Sequence, residues 1–298
     1  MTNVRFDFGV VAAHARSGDE WAEKARWAEA LGYATLVMPD TLGPTLSPLP
    51  ALAMAAAVTR SLRLGTYVLA NDLRNPVLLA HECATLDLLS DGRLEIGLGV
   101  GRPSATGDYR MLGLPFEAGS VRVARLRESL VFKGLLRGER MSASGSYYAA
   151  IDAQLALRPV QQPHPPIMVA GAGKRLLALA AQAVDIVALG IAPDTTTDAA
   201  HDMIASVREA AGERWAQLEL NTNLIAVCSP TAPWVAARFG IDAAQLIQSQ
   251  SLAALLGSID EMCDQLRQRR DTLGSSYFTV GEDLMDTFVP VVERLAGS

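Results

Sequence analysis

Four histidines are the side chains in this sequence best suited to metal binding or to proton transfer near neutral pH. They are His14, His81, His164 and His201, and no two of them are two or four residues apart, which disfavours a histidine-based metal site. The sequence has no G-x-S-x-G motif, and no cysteine lies at a strand-to-helix turn beside an obvious base. These absences indicate that a bound organic cofactor performs the difficult chemistry.

A glycine-rich turn is the best candidate for holding the phosphate of such a cofactor. An apolar strand pattern ends at Ala170, a helical pattern begins near Leu176, and small residues and a lysine lie between them: Gly171, Ala172, Gly173 and Lys174. Small residues let backbone N–H groups approach an anion, and a helix N-terminus adds partial positive charge. The motif is neither a P-loop nor a dinucleotide fingerprint, and a simple turn is the alternative interpretation.

Three polar side chains that follow predicted strands are candidates for catalysis. His14 follows the first strand and is interpreted either as a proton donor or as an exposed loop residue. Asp40 ends the second strand, where it contacts cofactor or substrate or else caps a helix. Arg102 follows Gly101 after the fourth strand and carries a donor fork that suits a carboxylate or a phosphate, the alternative being a solvated loop arginine. Tyr109 borders the same pocket or contributes only packing.

Composition restricts the class of protein. The 298 residues include 26 basic and 32 acidic side chains, a net charge of −6, and half of them are hydrophobic. This balance offers no basic patch for nucleic acid, so we expect no nucleic-acid partner. The N-terminus does not resemble a leader peptide and no long apolar run suggests a membrane span, which predicts a cytoplasmic protein. Isolated cysteines agree with reduced thiols.

Short apolar runs alternate with longer helical patterns along most of the chain, as in parallel sheets built from βαβ units. Eight runs are predicted as strands: 5–12, 35–38, 62–68, 93–98, 166–170, 186–189, 217–227 and 276–280. Eight such units predict a closed (β/α)8 barrel, a TIM barrel, which we interpret as one domain over residues 1–298.

Two segments interrupt the alternation. One is an excursion near residues 142–162, and the other, near residues 228–257, is predicted to be a lid or else a surface hairpin without a role. Between the regular units, Pro76 predicts a helix start and Ser258 with Glu261 predicts a capping box. A further amphipathic helix is predicted to expose three arginines to solvent: Arg122, Arg125 and Arg127.

The central part of the chain resembles the luciferase-like monooxygenase superfamily. The resemblance rests on Arg63-Leu64-Gly65-Thr66-Tyr67-Val68-Leu69, on Arg74-Asn75-Pro76, and on the run from Ala84 to Gly101 that contains Ser90-Asp91-Gly92-Arg93. The C-terminal part, with Gly274-Ser275-Ser276-Tyr277-Phe278 and Val289-Pro290-Val291-Val292, is similar to the end of the deazaflavin-dependent branch.

This resemblance implies a barrel that holds FMN or the deazaflavin F420 at the C-terminal ends of its strands, usually in a homodimer. It implies a non-prolyl cis peptide, a bulge behind the cofactor ring, at Val68–Leu69. Asn71 then has the position from which a polar side chain meets the cofactor, and Gly171-Ala172-Gly173 matches the phosphate turn of the family. Gly101, Arg102, Asp40, Ala170 and Lys174 complete the expected cofactor contacts.

Two departures from the family pattern bear on the reaction. Sugar-phosphate dehydrogenases of the F420 branch typically carry Asp-His after strand two, whereas this chain has Asp40-Thr41. They carry a glutamate after strand four, whereas this chain has Gly101-Arg102. We therefore predict an F420-dependent oxidoreductase that reduces a C=C or C=N bond of a small organic substrate. The alternatives are an FMN-dependent monooxygenase served by a separate flavin reductase, and a barrel that binds the cofactor without turnover.

Overall fold

The computed structural model of the protein describes residues 5–193, 195–228 and 250–298. Its strands alternate with helices over these ranges. The strands are β1 Asp7–Val11, β2 Thr35–Met38, β3 Arg63–Thr66, β4 Leu69–Ala70, β5 Leu94–Gly99, β6 Met141–Ser144, β7 Ala149–Ala153, β8 Ile167–Gly171, β9 Ile186–Leu189, β10 Glu219–Leu224, β11 Ala226–Cys228, β12 Ala254–Leu256 and β13 Ser275–Gly281.

The main sheet has the strand order β3-β2-β1-β13-β10-β9-β8-β5-β4, and β3 also pairs with β5. Because β4 continues β3 after a short break, this order is a ring of eight strands. Neighbouring strands of the main sheet pair in parallel, as β1 does with β13 and β5 with β8. The fold is therefore the (β/α)8 barrel that the sequence predicts, and each of the eight predicted strands overlaps a strand of the ring.

In the described part of the chain, ten helices accompany the strands, and two of them begin where the local sequence predicts a start. They are α1 Gly18–Ala30, α2 Pro48–Val58, α3 Pro76–Leu89, α4 Thr106–Met111, α5 Gly119–Ser129, α6 Phe132–Leu136, α7 Lys174–Ala183, α8 Thr197–Ala211, α9 Ile259–Leu273 and α10 Met285–Leu295. Pro76 opens α3 behind an Asn75 cap, and Ser258 and Glu261 form the predicted capping box of α9. None of the helices in the described ranges is long and apolar enough to cross a membrane.

The chain divides into two compact units. The first unit comprises Met1–Ala12, Trp27–Leu36 and Ala170–Ser298, in so far as they are described. Its core contains a cluster of aromatic rings, in which Phe8 meets Phe288 edge to face at 5.3 Å between ring centroids and also stacks with Phe6. Burial of such rings contributes most of the stability that a core of this kind can supply.

The second unit comprises Ala13–Arg26 and Val37–Val169. In its core the indole of Trp21 is 1% exposed and donates a hydrogen bond to the carbonyl of Ala51. Arg93 donates to the carbonyls of Ala56 and Leu62 and so fixes the end of α2 against β3. A long side chain thereby satisfies carbonyl groups that the end of a helix leaves unpaired.

The two predicted interruptions have different outcomes. The excursion near residues 142–162 contains an antiparallel hairpin of β6 and β7, followed by an irregular segment in which Gln161 binds the buried carboxylate of Asp87. Most of the predicted lid, residues 229–249, lies outside the described residues. Its described end includes β12, which pairs in parallel with β11.

Candidate functional site

A bulge between β3 and β4 dominates the candidate wall for a cofactor in the second unit. Gly65 pairs with Glu95 and Leu69 pairs with Leu98, so three residues of one strand oppose two of β5. The peptide bond between Tyr67 and Val68 is cis. The sequence predicts this feature but places it one residue late, at Val68–Leu69, which is wrong by one peptide bond.

Thr66 explains why the break comes earlier. Its hydroxyl donates to the carbonyl of Gly97 at 2.8 Å and accepts from the N–H of the same residue at 2.9 Å. At the last residue of β3, a side-chain hydroxyl thus makes the hydrogen bonds to β5 that backbone groups make in a regular strand pair. Regular pairing ends there. The sequence pattern alone does not reveal this substitution of a side chain for a strand neighbour.

Two glycines of β5 make room for the bulge, and neither is among the predicted site residues. A Cβ atom on Gly97 would overlap the carbonyl oxygen of Thr66 and lie 2.8 Å from Cγ1 of Val68. A Cβ on Gly99 would lie 2.6 Å from Cγ2 of Val68. The alternation of glycine in Leu94–Gly99 is the sequence signal that could have identified both residues, because glycine in a strand often marks a bulge or close backbone approach.

Asn71 lies directly after β4, at the start of a 3-10 helix over Asn71–Leu73. Asn71 is 3% exposed, and within the described part of the chain neither its amide nitrogen nor its amide oxygen has a hydrogen-bond partner. A buried amide without partners costs about 1–3 kcal/mol, so such a group usually serves a ligand, an ordered water or strain. The predicted cofactor residue Asn71 therefore has the chemistry that a ring with polar edges needs.

Asp40 and Arg74 form a hydrogen-bonded pair that holds β4 in place. The Asp40 carboxylate receives both guanidinium nitrogens of Arg74, at 2.5 and 3.0 Å, and the N–H of Ala70 at 3.0 Å. Burial opposes the charge of Arg74, but its hydrogen bond to Asp40 and the charge of that residue outweigh this and raise the pKa of Arg74. Asp40 thus fixes β4, and this occupied carboxylate argues against a role in proton transfer.

Replacement of Arg74 by lysine should lower the free energy of unfolding by about 1–2 kcal/mol, because one ammonium cannot replace a bidentate fork in a partly buried pair. Urea unfolding measures the change. Arg140→Lys is the matched control, since its pair with Asp152 is largely exposed and should change stability by less than about 0.5 kcal/mol. Equal losses in the two variants would contradict the bracing role of Arg74.

Asp72, next to Asn71, is part of a buried polar cluster. Its side chain is 2% exposed, and one carboxylate oxygen accepts a hydrogen bond of 2.6 Å from the hydroxyl of Tyr109. Burial and this hydrogen bond raise the pKa of Tyr109, so the phenol keeps its proton and acts as a donor. A Cβ atom added to Gly101 would lie against the hydroxyl of Tyr109. The φ of Gly101, +72°, also favours glycine at this position.

Two arginines of α5 are not solvated as the sequence predicts. Arg122 is 9% exposed and donates to the carbonyls of Glu117, Val100 and Gly101. Arg125 pairs with Glu117 at 2.7 Å and reaches the Asp72 carboxylate at 3.8 Å. The prediction was wrong for both because helical periodicity separates faces without showing what covers them, although Arg127 is exposed as expected.

Four predicted residues have a weaker structural basis. Arg102 is exposed and precedes a 3-10 helix over Pro103–Ala105, and His14 is an exposed residue whose carbonyl accepts from Lys24. Gly101 gives its carbonyl to Arg122, and Leu69 is buried beside the bulge. The roles predicted for these residues in catalysis or cofactor binding stay predictions.

The glycine turn of the first unit has the predicted secondary structure. β8 ends at Gly171, α7 begins at Lys174, and Ala172, Gly173 and Lys174 are exposed. The carbonyl oxygen of Gly171 accepts a hydrogen bond from the N–H of Gly190. A Cβ atom added to Gly190 would lie 2.9 Å from the backbone of Gly171. The turn therefore presents an accessible N-terminus of a ten-residue helix, as its predicted phosphate-binding role requires.

Among the described residues, no group of three potential metal ligands from histidine, cysteine and acidic side chains comes together. His81 is exposed, and Cys83 on the same helix is buried. Burial and the nearby Glu82 raise the pKa of the Cys83 thiol, so this cysteine contributes packing rather than reactivity.

Comparison with known proteins identifies the family. The model of the luciferase-like monooxygenase family matches residues 5–284, and the chain therefore belongs to this family. It is 36% identical over 167 residues to an F420-dependent glucose-6-phosphate dehydrogenase of Beutenbergia cavernae, with 53% of this chain and 48% of the relative covered. A protein of the same description from Nakamurella multipartita is 31% identical over 231 residues, with 74% and 67% covered.

The chain thus spans about half the length of the first relative and two thirds of the second. Among solved structures, the F420-dependent tetrahydromethanopterin reductase of Methanopyrus kandleri aligns with a TM-score of 0.78 at 19% identity. The alignment covers 98% of this chain and 99% of that one, which shows that the two proteins share a fold.

Proposed function

We propose that the protein is an F420-dependent oxidoreductase acting on a small organic molecule. The observation that carries the proposal is the buried side-chain amide of Asn71, whose two polar atoms have no hydrogen-bond partner among the described residues. The glycines of β5 and the bulge at Val68 support it. Gly99 lies against Val68 and pairs with Ala70, the residue that precedes Asn71. The description of the relatives supports the deazaflavin as the cofactor.

A deazaflavin bound here would supply hydride exchange with the substrate. The chain's own contribution begins with Asn71, whose amide can donate to and accept from the polar edge of a ring. Asp40 and Arg74 hold the strand that precedes this amide. Tyr109 donates to Asp72, which fixes the buried carboxylate next in sequence. Such preorganised groups need little rearrangement when a ligand binds.

Two loop residues, Thr41 and Arg102, support the proposed substrate class. The Thr41 hydroxyl, where the family's sugar-phosphate dehydrogenases carry histidine, pairs with Thr45 within its own loop. Arg102 occupies the position of the expected glutamate and carries guanidinium donors instead of a carboxyl group. We therefore propose reduction of a C=C or C=N bond rather than oxidation of a sugar phosphate, with His14 and Arg102 facing the substrate. Exchange of hydride requires the substrate carbon to lie about 3–3.5 Å from the reactive atom of the ring.

Cofactor titration tests the proposal directly. Purified protein is mixed with F420 and, separately, with FMN, and binding is followed by fluorescence. We expect saturable binding of F420. Binding of FMN with none of F420 would overturn the proposal in favour of a monooxygenase served by a separate reductase. Reduced F420 is then offered enones and cyclic imines, with glucose 6-phosphate and the oxidised cofactor as the opposite reaction. Turnover of glucose 6-phosphate alone would overturn the substrate class, and binding without any turnover would indicate a cofactor carrier.

Two other features stay predictions of this proposal. The family resemblance predicts a homodimer, and the sequence predicts a cytoplasmic location. The phosphate role of Gly171–Lys174 is likewise proposed from the accessible start of α7 and the charge of Lys174.

A further inference from the structure

We infer that the turn of the β6–β7 hairpin, residues 145–148, positions Asn71 for its ligand through the hydroxyl of Tyr148. The inference rests on the proposed function, because it assumes that the Asn71 amide binds the cofactor. It concerns the segment near residues 142–162, to which the sequence assigns no role beyond an excursion.

Glu128 on α5 holds this turn in place. Its carboxylate accepts hydrogen bonds from three successive backbone N–H groups, those of Ser146, Tyr147 and Tyr148, at 2.9, 2.8 and 3.2 Å. The bond from Tyr147 has the largest effect in lowering the pKa of Glu128, so the carboxylate stays charged in neutral and mildly acidic solution. A carboxylate that receives several backbone donors fixes the conformation of the turn.

Gly145 shows how closely Glu128 approaches the turn. A Cβ on this residue would overlap the Glu128 carboxylate, with even the farther oxygen only 2.9 Å away. Any side chain at this position must therefore displace Glu128. The glycine is required for the contact, not for a left-handed backbone, because its φ is not positive.

The turn contacts the Asn71 segment directly through Tyr148, and Tyr147 reaches it only indirectly, through Arg125. The Tyr148 hydroxyl donates to the carbonyl of Asn71 at 3.1 Å, and burial raises the pKa of Tyr148 to about 12, so the donor persists in neutral solution. The ring of Tyr147 lies 5.0 Å from the guanidinium carbon of Arg125, which also reaches Asp72. The turn thereby holds both Asn71 and its neighbour.

The Asn71 segment needs such support. It is a 3-10 helix of only three residues with no capping side chain, and helices of this kind have few internal hydrogen bonds. A bond to the Asn71 carbonyl restrains the backbone from which the unpartnered amide projects. Tyr148 therefore acts as a positioning residue, and its loss should lower the affinity for cofactor without removing any contact to it.

A double-mutant cycle on F420 binding tests this role. Tyr148→Phe should weaken binding of F420 about fivefold, the effect of one net hydrogen bond. In an Asn71→Ala background the same change should have no effect, because the amide that Tyr148 positions is gone. An equal loss in both backgrounds, or no loss in either, would overturn the inference. The proposed function would still hold in that case, provided that the unaltered protein binds F420. Absence of F420 binding by the unaltered protein would overturn both.

A second pair of variants tests the turn itself. Gly145→Ala should weaken F420 binding by about the same factor as Tyr148→Phe, and the two changes together should be no worse than either alone. Gly107→Ala is the matched control, since a Cβ there meets nothing within 4 Å, and it should bind F420 normally. If Gly145→Ala does not fold, Glu128→Gln removes the charge of the same contact. Normal F420 binding by the folded turn variant would contradict the inference.

Discussion

Gly97→Ala is expected to destabilise the protein by about 3 kcal/mol or more, or to prevent folding, because its Cβ would overlap a backbone oxygen. The atom concerned is the Thr66 carbonyl oxygen, and Cγ1 of Val68 would lie 2.8 Å away. A backbone atom of a buried strand cannot move aside as a side chain can. Chemical unfolding, or the yield of folded protein where unfolding cannot be measured, gives the result.

Gly99→Ala separates this backbone effect from side-chain crowding. Its Cβ would meet Cγ2 of Val68 at 2.6 Å, and its next neighbour lies at 3.8 Å. We expect a loss of about 1–2 kcal/mol, which Val68→Ala should largely reverse, as expected when a crowded side chain is removed. Val68→Ala should not rescue Gly97→Ala. Rescue of both variants would contradict the account of the bulge.

Asn71→Leu is expected to weaken F420 binding about 30-fold, and to raise the free energy of unfolding by about 1 kcal/mol, because an apolar group of similar size replaces an unsatisfied amide. The two effects have opposite signs because the amide has no partner among the residues that the structure describes, and the proposed ligand supplies one. A binding site often retains such a local cost for the sake of function. Urea unfolding without cofactor and fluorescence titration with F420 measure the two effects.

Asn71→Asp is the matched control at the same position. It preserves the shape of the side chain but buries a charge beside the Asp72 carboxylate, so stability should fall while F420 binding also weakens. A loss of stability in Asn71→Leu would show that the amide already has a partner in the protein. That result would remove the main support for a ligand at this position.

The strands were predictable because each is a short apolar run between helix start and stop signals. Pro76 and the Ser258 capping box define helix ends through contacts a few residues apart, which sequence patterns record. The position of the cis peptide was one residue wrong because Thr66 bonds to Gly97, a contact that spans 31 positions. Local patterns carry no information about such a contact.

The candidate site was predictable only in part, for a related reason. Asp40 was predicted because it follows a strand, where barrels place their active residues, and Asn71 was predicted because the family resemblance assigns a cofactor contact to its position. The buried contacts of Arg122 and Arg125 were missed, since helical spacing does not distinguish water from backbone carbonyls and a carboxylate. Tyr148 could not have been found, because it contacts Asn71 across 77 positions and its hairpin has no periodic signal.

A crystal structure of the protein grown with F420 tests the central claim most directly. The account predicts that a nitrogen or oxygen of the Asn71 side-chain amide lies within about 3.2 Å of a polar atom of the deazaflavin ring. It also predicts that the ring packs beside the bulge at Val68. A deazaflavin bound elsewhere, with the Asn71 amide still lacking a polar partner, would contradict the account.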